Sequence, residues 1–355
     1  MTSVETAPQA HTAGTGYRVA VTADVVRPDG SSVHGDLGLD RLKAHDMDWA
    51  VLPGDSPVLP PAYFDDVDAV LVMGHTHVDA ETVDRTPRLR HIARFGAGYE
   101  TIDLEACTRA GVVVTNTPTA IRRTLSTAAV TLMLGLMHNV VPKDRMVRES
   151  RWEERERFRG VGLEGRTLGI VGFGSVGADV ALLMQNFGMT IIGTNRSGKS
   201  AAADDLGVEL VPLERLLERA DVVLLTAALT PETTRMIDAA AIDRMKPSAF
   251  LVNVGRGGLV DTDALRDALL NGRIAGAGLD VFDPEPLLPD DPILGLDTVL
   301  LSPHALGWTD QFTAAVSTAA LDAIVAIAEG RRPESVLNPE VFDTEAWRAK
   351  VAAGR

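Results

Sequence analysis

Residues 167–177, TLGIVGFGSVG, decide the fold of this chain. The apolar run LGIV leads into Gly172, Gly174 and Gly177, spaced as GxGxxG, and a segment with the apolar spacing of a helix follows. In this context the first glycine permits a tight turn, the second lets the backbone approach a pyrophosphate, and the third allows close helix–strand packing. The helix N-terminus adds positive potential. We therefore predict a dinucleotide-binding turn; the alternative is a glycine-rich turn that serves packing alone.

The pattern around this turn is that of an α/β fold with parallel sheets. Apolar, β-branched runs near residues 168, 190, 222, 250, 276 and 298 alternate with helical patterns, which predicts about six strands of a doubly wound domain. An earlier alternating series has strands at residues 17–25, 69–74 and 112–116. A long apolar helix is predicted at about residues 126–140, and the charged stretch at 148–160 reads as an exposed helix or arm.

These elements suggest two lobes and a tail. We expect residues 1–16 to be a disordered tail, because they are small, polar and aperiodic. Residues 17–119 together with 313–345 are expected to form a substrate lobe, and residues 120–312 the dinucleotide-binding domain.

Composition excludes several classes of function. The formal net charge of −15 argues against sequence-independent nucleic-acid binding, which needs a basic face. Polar residues interrupt the longest apolar stretch, at about residues 125–141, so we expect no membrane span. Cys107 is the only cysteine, which rules out an intrachain disulfide and a cysteine-based metal site. We expect no metal ion and, because no targeting signal is visible, a cytoplasmic protein.

The segment after the strand TIIGT bears on the choice of cofactor. NAD-binding domains hold the ribose 2′-hydroxyl with a carboxylate at this place, whereas this chain has Asn195, Arg196 and Ser197. Because a guanidinium pairs well with phosphate, Arg196 favours NADP(H) over NAD(H). Alternatively, Arg196 stacks on the adenine, which would serve either cofactor.

Three residues at the ends of successive predicted strands form a candidate catalytic group. Arg256 follows FLVNVG, Glu285 follows AGAGLDV, and His304 follows TVLLSP. Strand carboxyl ends line the ligand crevice of an open α/β sheet, so only the sheet would bring the three together. An imidazole can give and take a proton near neutral pH, a carboxylate can orient it, and a guanidinium can grip a carboxylate or carbonyl. Taken singly, each could instead be a salt-bridge, solvated or turn residue.

Several segments resemble the D-isomer-specific 2-hydroxyacid dehydrogenase family over about residues 89–339. They are GAGYETIDLEAC at 96–107, GIVGFGSVG at 169–177, MKPSAFLVNVGRGGLVDTDAL at 245–265, GAGLDVFDPEPL at 276–287, and SPH at 302–304. The resemblance implies two Rossmann-like lobes with the cofactor in the cleft between them, and a homodimer built on the nucleotide domain. One departure is Thr226-Ala227-Ala228, where the family often has His-x-Pro.

The resemblance also implies roles for individual residues. Arg256, Glu285 and His304 would form the active site, and the backbone of Ala97 and Gly98 would contact the substrate carboxylate. The implied cofactor contacts are Ser175 and Val176 at the pyrophosphate and Val254, Gly255, Asp280 and Gly307 on the nicotinamide side. His75 and His77, after the strand VLVMG, could meet the substrate or be ordinary loop residues.

The expected function is hydride transfer between a nicotinamide cofactor and a small 2-keto acid. Glyoxylate and hydroxypyruvate are the first candidate substrates, with D-specificity implied by the resemblance. Relatives that oxidise formate or phosphite are enzymatic rivals. The alternative from a different class is a dinucleotide-sensing binding protein, such as a corepressor that shares the fold.

Overall fold

The computed structural model describes residues 16–27, 31–32, 34–52, 58–74 and 76–353. The chain divides into two units, unit 1 comprising Met1–Ile121 and Trp308–Arg355, and unit 2 comprising Arg122–Gly307. The predicted disordered tail lies outside the described residues except for Gly16.

The strands form two parallel sheets, one in each unit. In the described part of unit 1 the strands are β1 Tyr17–Val21, β2 Met47–Val51, β3 Ala69–Val72, β4 His91–Arg94 and β5 Val113–Thr115, in the order β2-β1-β3-β4-β5. Unit 2 contains β6 Thr167–Val171, β7 Thr190–Thr194, β8 Glu209–Leu210, β9 Val222–Leu225, β10 Phe250–Asn253, β11 Gly276–Leu279 and β12 Val299–Leu301. Their order, β12-β11-β10-β9-β6-β7-β8, is the dinucleotide-domain order with one further strand.

Helices connect the strands. They are α1 Asp40–Lys43, α2 Ala80–Asp84, α3 Leu104–Arg109, α4 Pro118–Met137, α5 Val140–Arg148, α6 Ser175–Met184, α7 Ala201–Leu206, α8 Leu213–Arg219, α9 Ala239–Arg244, α10 Thr262–Leu270, α11 Asp310–Ala328 and α12 Glu345–Ala353. Short 3-10 helices cover Pro61–Phe64, Trp152–Phe158, Gln185–Phe187, Gly257–Leu259, Pro292–Gly295 and Pro339–Asp343.

The sheet of unit 2 is buried on both faces, as a parallel sheet requires. Val223, Leu225 and Leu251 point into a core shared with α8, α9 and α10. The alternating residues Leu224 and Val252 point into the opposite core, shared with α4 and α6. Helices on both faces make unit 2 the doubly wound domain that the sequence predicted.

One face of the unit 1 sheet is covered by α11. Leu321 and Ile324 of this helix pack with Val19, Val21 and Leu71 of the sheet. By length and composition α11 could cross a membrane, and so could α4 and α5 if that bent pair is taken as one span. The packing of α11 in the core of unit 1 is that of a buried helix in a globular domain.

Several element boundaries differ from the sequence prediction. The edge strands β2 and β8 were not predicted, because β2 keeps most of its residues partly exposed and β8 has two residues. Helix α4 begins at Pro118 rather than near residue 126, since proline suits the first helical position and its first turns are polar. The charged stretch predicted as an exposed helix or arm contains the 3-10 helix Trp152–Phe158.

Candidate active site

The glycine turn joins β6 to α6 at the point where the strand order of unit 2 reverses. A Cβ on Gly172 would lie 2.4 Å from the backbone of Ala227, and one on Gly177 would lie 2.9 Å from Ile170 in β6. A Cβ on Gly174 would meet only the Gly172 carbonyl oxygen, at 3.9 Å. Protein packing therefore accounts for the first and third glycines, whereas the second faces open space, as expected if a ligand approaches there.

The first turn of α6 suits an anion. Within the described residues no side chain caps this helix, whose N-cap is Gly174, whereas α3 and α10 are capped by Asp103 and Asp261. The first amide groups of a helix lack partners inside the helix, and an acidic cap would repel a phosphate. Ser175 is exposed and Val176 is partly exposed. This geometry fits the pyrophosphate of a dinucleotide at these two residues.

The loop after β7 is folded by its own polar side chains. Asn195 donates from Nδ2 to the carbonyl of Lys199 at 3.0 Å and to that of Phe173 at 3.4 Å, and Ser197 donates from Oγ to Lys199 at 2.9 Å. These bonds fasten the loop to the glycine turn. Arg196 is exposed; a hydrogen bond from Thr230 lowers the pKa of Glu232, and the charge of Arg196 adds to that effect.

The three predicted catalytic residues follow neighbouring strands. Arg256, Glu285 and His304 come after β10, β11 and β12, which lie side by side in the sheet. Nδ1 of His304 lies 3.0 Å from Oε2 of Glu285. The side chain of His304 is 43% exposed and that of Glu285 is 23% exposed, so the imidazole is accessible while its carboxylate partner is more shielded. The structure thus forms the imidazole–carboxylate pair that the sequence suggested.

The backbone that carries Arg256 is held by Asn253, the last residue of β10. Asn253 is 1% exposed; its Oδ1 accepts from the Gly255 amide at 3.0 Å, and its Nδ2 donates to the Arg256 carbonyl at 2.9 Å. Gly257 abuts the next loop so closely that a Cβ would overlap the Phe282 carbonyl. Sequence reasoning missed Asn253; the signal was an amide at the end of an otherwise apolar strand.

The turn that carries His304 is held by Asp280. The φ of His304 is +54°, a left-handed conformation that costs a non-glycine residue about 1–3 kcal/mol. Oδ1 of Asp280 accepts from the amides of Ala305 at 3.1 Å and Leu306 at 3.2 Å. Burial raises the pKa of Asp280, against the opposing effect of a hydrogen bond from Ser302. Asp280, expected on the nicotinamide side, therefore also fixes the backbone beside the imidazole.

The remaining predicted cofactor residues lie on the same loops of unit 2. The Val254 side chain is 3% exposed and packs in the core, so a ligand contact there would come from its backbone. A Cβ on Gly255 would lie 2.9 Å from Leu259, whereas one on Gly307 would have no neighbour nearer than Leu125 at 3.9 Å.

In unit 1, Ala97 and Gly98 form the loop after β4. The Ala97 carbonyl accepts from Nδ2 of Asn116 at 2.7 Å, and Thr117 accepts through Oγ1 from the Gly96 amide at 3.0 Å. Both partners directly follow β5, and sequence reasoning had not singled them out. His77 forms a β-bridge with Val58 and is exposed. His75 lies outside the described residues.

Comparisons with known proteins identify the family of the chain. A family model described as D-isomer specific 2-hydroxyacid dehydrogenase, NAD binding domain, matches residues 130–305. A glyoxylate reductase of Korarchaeum cryptofilum is 41% identical over 311 residues, which cover 86% of this chain and 94% of that protein. A glyoxylate reductase of Pyrococcus furiosus is 40% identical over 283 residues, 78% of this chain and 84% of that protein.

Solved structures of related proteins match the chain over most of its length. An NADPH-dependent glyoxylate/hydroxypyruvate reductase of Sinorhizobium meliloti, in complex with NADP and malonate, matches with a TM-score of 0.79 and 29% identity. The match covers 91% of this chain and 98% of that one. A protein of Thermus thermophilus matches with a TM-score of 0.80 and 33% identity, covering 90% and 99% of the two chains.

The relatives favour an enzyme over the non-enzymatic binding protein considered above, which would share the fold and the glycine turn. The cofactor is a nicotinamide dinucleotide, and the substrate is a small 2-keto or 2-hydroxy acid. The chain belongs to the D-isomer specific 2-hydroxyacid dehydrogenase family and is an NAD(P)-dependent oxidoreductase.

Proposed function

We propose that this protein reduces glyoxylate and hydroxypyruvate to the corresponding 2-hydroxy acids and prefers NADPH as the reductant. The observation that carries the proposal is the pair of His304 and Glu285, 3.0 Å apart at the ends of neighbouring strands in a dinucleotide-binding domain. The names of the relatives support glyoxylate as the first substrate to test.

The chemistry assigns each side chain a task. A bound reduced nicotinamide supplies the hydride that reaches the keto carbon. His304, protonated, gives a proton to the carbonyl oxygen, so that the alcohol leaves neutral and the imidazole is left neutral. Glu285 accepts a hydrogen bond from Nδ1 of His304, which leaves the other ring nitrogen to face the substrate. The exposed imidazole can then regain a proton from water.

Arg256 suits the substrate carboxylate and the polarised carbonyl. A guanidinium is permanently charged and presents a planar fork of donors, so it attracts a 2-keto acid and stabilises negative charge that develops on oxygen. The Asn253 side chain fixes the turn from which Arg256 projects. In unit 1 the loop at Ala97 and Gly98 is fastened by a hydrogen bond from Nδ2 of Asn116 to the Ala97 carbonyl.

The NADPH preference rests on the loop after β7. Arg196 is exposed, and the loop provides no carboxylate to hold a ribose 2′-hydroxyl. The hydrogen bonds of Asn195 and Ser197 define the backbone conformation from which Arg196 extends. A 2′-phosphate would therefore find an available guanidinium there, as in charge-assisted phosphate recognition generally.

We also propose a homodimer formed through unit 2. Four large apolar residues of α5 and of the adjoining 3-10 helix are exposed: Val140 by 53%, Val141 by 43%, Val147 by 49% and Trp152 by 60%. Apolar residues exposed along one segment mark an interaction surface.

The test of the proposed function is a spectrophotometric screen of short 2-keto acids with NADPH and NADH. We expect the highest kcat/KM for glyoxylate or hydroxypyruvate with NADPH. A clear preference for NADH would contradict the cofactor proposal alone. Turnover of neither keto acid, by a protein that binds the cofactor tightly, would contradict the substrate proposal.

A further inference from the structure

Helix α4 is fastened to the beginning of α6 by two side chains of its own. Nη2 of Arg123 lies 2.7 Å from Oδ1 of Asp179, and Oγ of Ser126, which donates to the Arg122 carbonyl at 2.7 Å, also lies 3.3 Å from the Val176 carbonyl oxygen. All of these residues belong to unit 2. The contacts therefore connect α4 to the first two turns of the helix that starts at the pyrophosphate turn.

Asp179 is a buried carboxylate. Its side chain is 6% exposed, and its second oxygen, Oδ2, is buried without a hydrogen-bond partner among the described residues. Across the same residues Arg123, whose side chain is 52% exposed, is the only cation within 4 Å. A buried charge that loses its partner is left uncompensated in a poorly screening environment. Asp179 thus depends on Arg123 for neutralisation.

The position of Asp179 matters because of what lies at the start of α6. Asp179 is four residues beyond Ser175, which is about 6 Å along a helix axis. The first turn of α6 is uncapped by side chains and suits an anion. A bare carboxylate one turn away would oppose that anion, in a chain whose net charge is already −15.

We propose that Arg123 is a positioning residue for the cofactor: by pairing with Asp179 it keeps the phosphate-binding end of α6 electropositive. The inference rests on the dinucleotide cofactor of this family and is independent of which keto acid is reduced. Arg123 acts through Asp179 and through the helix, so no contact of its own with the cofactor is required.

The test is a titration of NADPH into the full-length protein, followed by NADPH fluorescence, at low and high salt. We expect Arg123→Met to raise the Kd about tenfold at low salt, and by less at high salt because screening weakens the opposing charge. Arg123→Lys, which keeps the cation, should stay close to wild type. Arg122→Met removes the same charge from the neighbouring exposed position and serves as the matched control, with no change expected.

Substitutions at Asp179 separate charge compensation from simple fastening. If compensation is the role, Asp179→Asn binds NADPH at least as tightly as wild type, and Arg123→Met/Asp179→Asn recovers most of the lost affinity. Weaker binding by Asp179→Asn would overturn the proposal, as would an unchanged Kd for Arg123→Met. If Arg123→Met fails to fold, the Kd values of Asp179→Asn and of the double variant still show whether Arg123 compensates the charge of Asp179. A wild type that prefers NADH would contradict the proposed cofactor preference and leave this comparison to be made with NADH.

Discussion

Two buried polar side chains, Asn253 and Asp280, hold the backbone of the turns that carry Arg256 and His304. Each follows or ends an apolar strand, and each accepts hydrogen bonds from amides of the turn beyond it. Their effect is to fix turns rather than side chains. His304 shows why this is needed, since its left-handed backbone would otherwise relax to a conformation of lower energy.

Removing the carboxyl group of Asp280 should therefore slow the reaction. In Asp280→Ala the amides of Ala305 and Leu306 lose their acceptor, and the imidazole of His304 is no longer held in place. We expect kcat for keto acid reduction to fall about 100-fold, because misplacement by about 1 Å has an effect of that order. Asp280→Asn, which keeps an amide oxygen as acceptor, should fall less.

The control for this substitution is Asp238→Ala, which removes an aspartate that also accepts from a backbone amide, at the N-terminus of α9. It should lower thermal stability and leave kcat near wild type. If Asp280→Ala kept its kcat while losing only stability, the turn-holding role would be wrong.

The placement of Arg256, Glu285 and His304 after neighbouring strands could be predicted from the sequence, because each follows an apolar run and the carboxyl ends of parallel strands meet at one edge. The supporting roles of Asn253 and Asn116 could not be predicted from the sequence, because they depend on turn conformations that no hydrophobic periodicity encodes. Asp280 was assigned to the cofactor on resemblance alone. The hydrogen bonds that it accepts from the amides of Ala305 and Leu306 depend on the folded turn.

At the scale of elements, the apolar content of each strand determined which strands the sequence revealed. The central strands β9 and β10 are buried along their whole length and read as continuous apolar runs. The edge strand β2, with Asp48 exposed and residues 49–51 half-buried, gave no such run. The start of α4 was obscured for a similar reason, because Arg122 and Arg123 interrupt the apolar pattern in its first turns.

His91 connects two strands of unit 1 and predicts a pH effect on stability. It is fully buried, its Nε2 lies 2.8 Å from Oγ1 of Thr115 in β5, and burial lowers its pKa from 6.5 to about 3. Between those values the unfolded chain takes up a proton that the folded chain does not. The contribution of His91 to the free energy of unfolding is therefore fully present above pH 6.5 and is lost as the pH falls toward 3.

We expect His91→Gln to flatten the acid side of the stability profile. Within that window wild type should lose up to about 1.4 kcal/mol per pH unit through this residue, and the variant should not. Thermal unfolding at pH 7, 6, 5 and 4 measures the difference, with the exposed His138→Gln as control. Parallel profiles for wild type and His91→Gln would show that the buried imidazole has no such effect.

At the scale of the whole molecule, the chain combines a large negative charge with exposed apolar side chains on α5 and on the 3-10 helix that follows it. A large net negative charge makes copies of the chain repel one another, so two copies would associate only through a specific local surface. The dimer proposed above supplies that specificity through Val140, Val141, Val147 and Trp152.

Trp152→Glu should convert the proposed dimer to a monomer, because it places a charge in the middle of an apolar contact. Light scattering during size-exclusion chromatography would report the mass, and we expect two chains for wild type and one for the variant. As a control, Leu182→Glu introduces the same charge at another exposed apolar position, on α6, and should leave the mass unchanged. A monomeric wild type would contradict the dimer.

The proposed dinucleotide-dependent reduction depends on His304 acting as the proton donor. The most direct measurement is steady-state reduction of glyoxylate by NADPH in His304→Asn, together with the Kd for NADPH. We predict that kcat falls about 10²- to 10⁴-fold, as expected when a general acid is removed, while the Kd stays within about twofold of wild type. A variant that reduced glyoxylate at the wild-type rate would contradict the proposed mechanism.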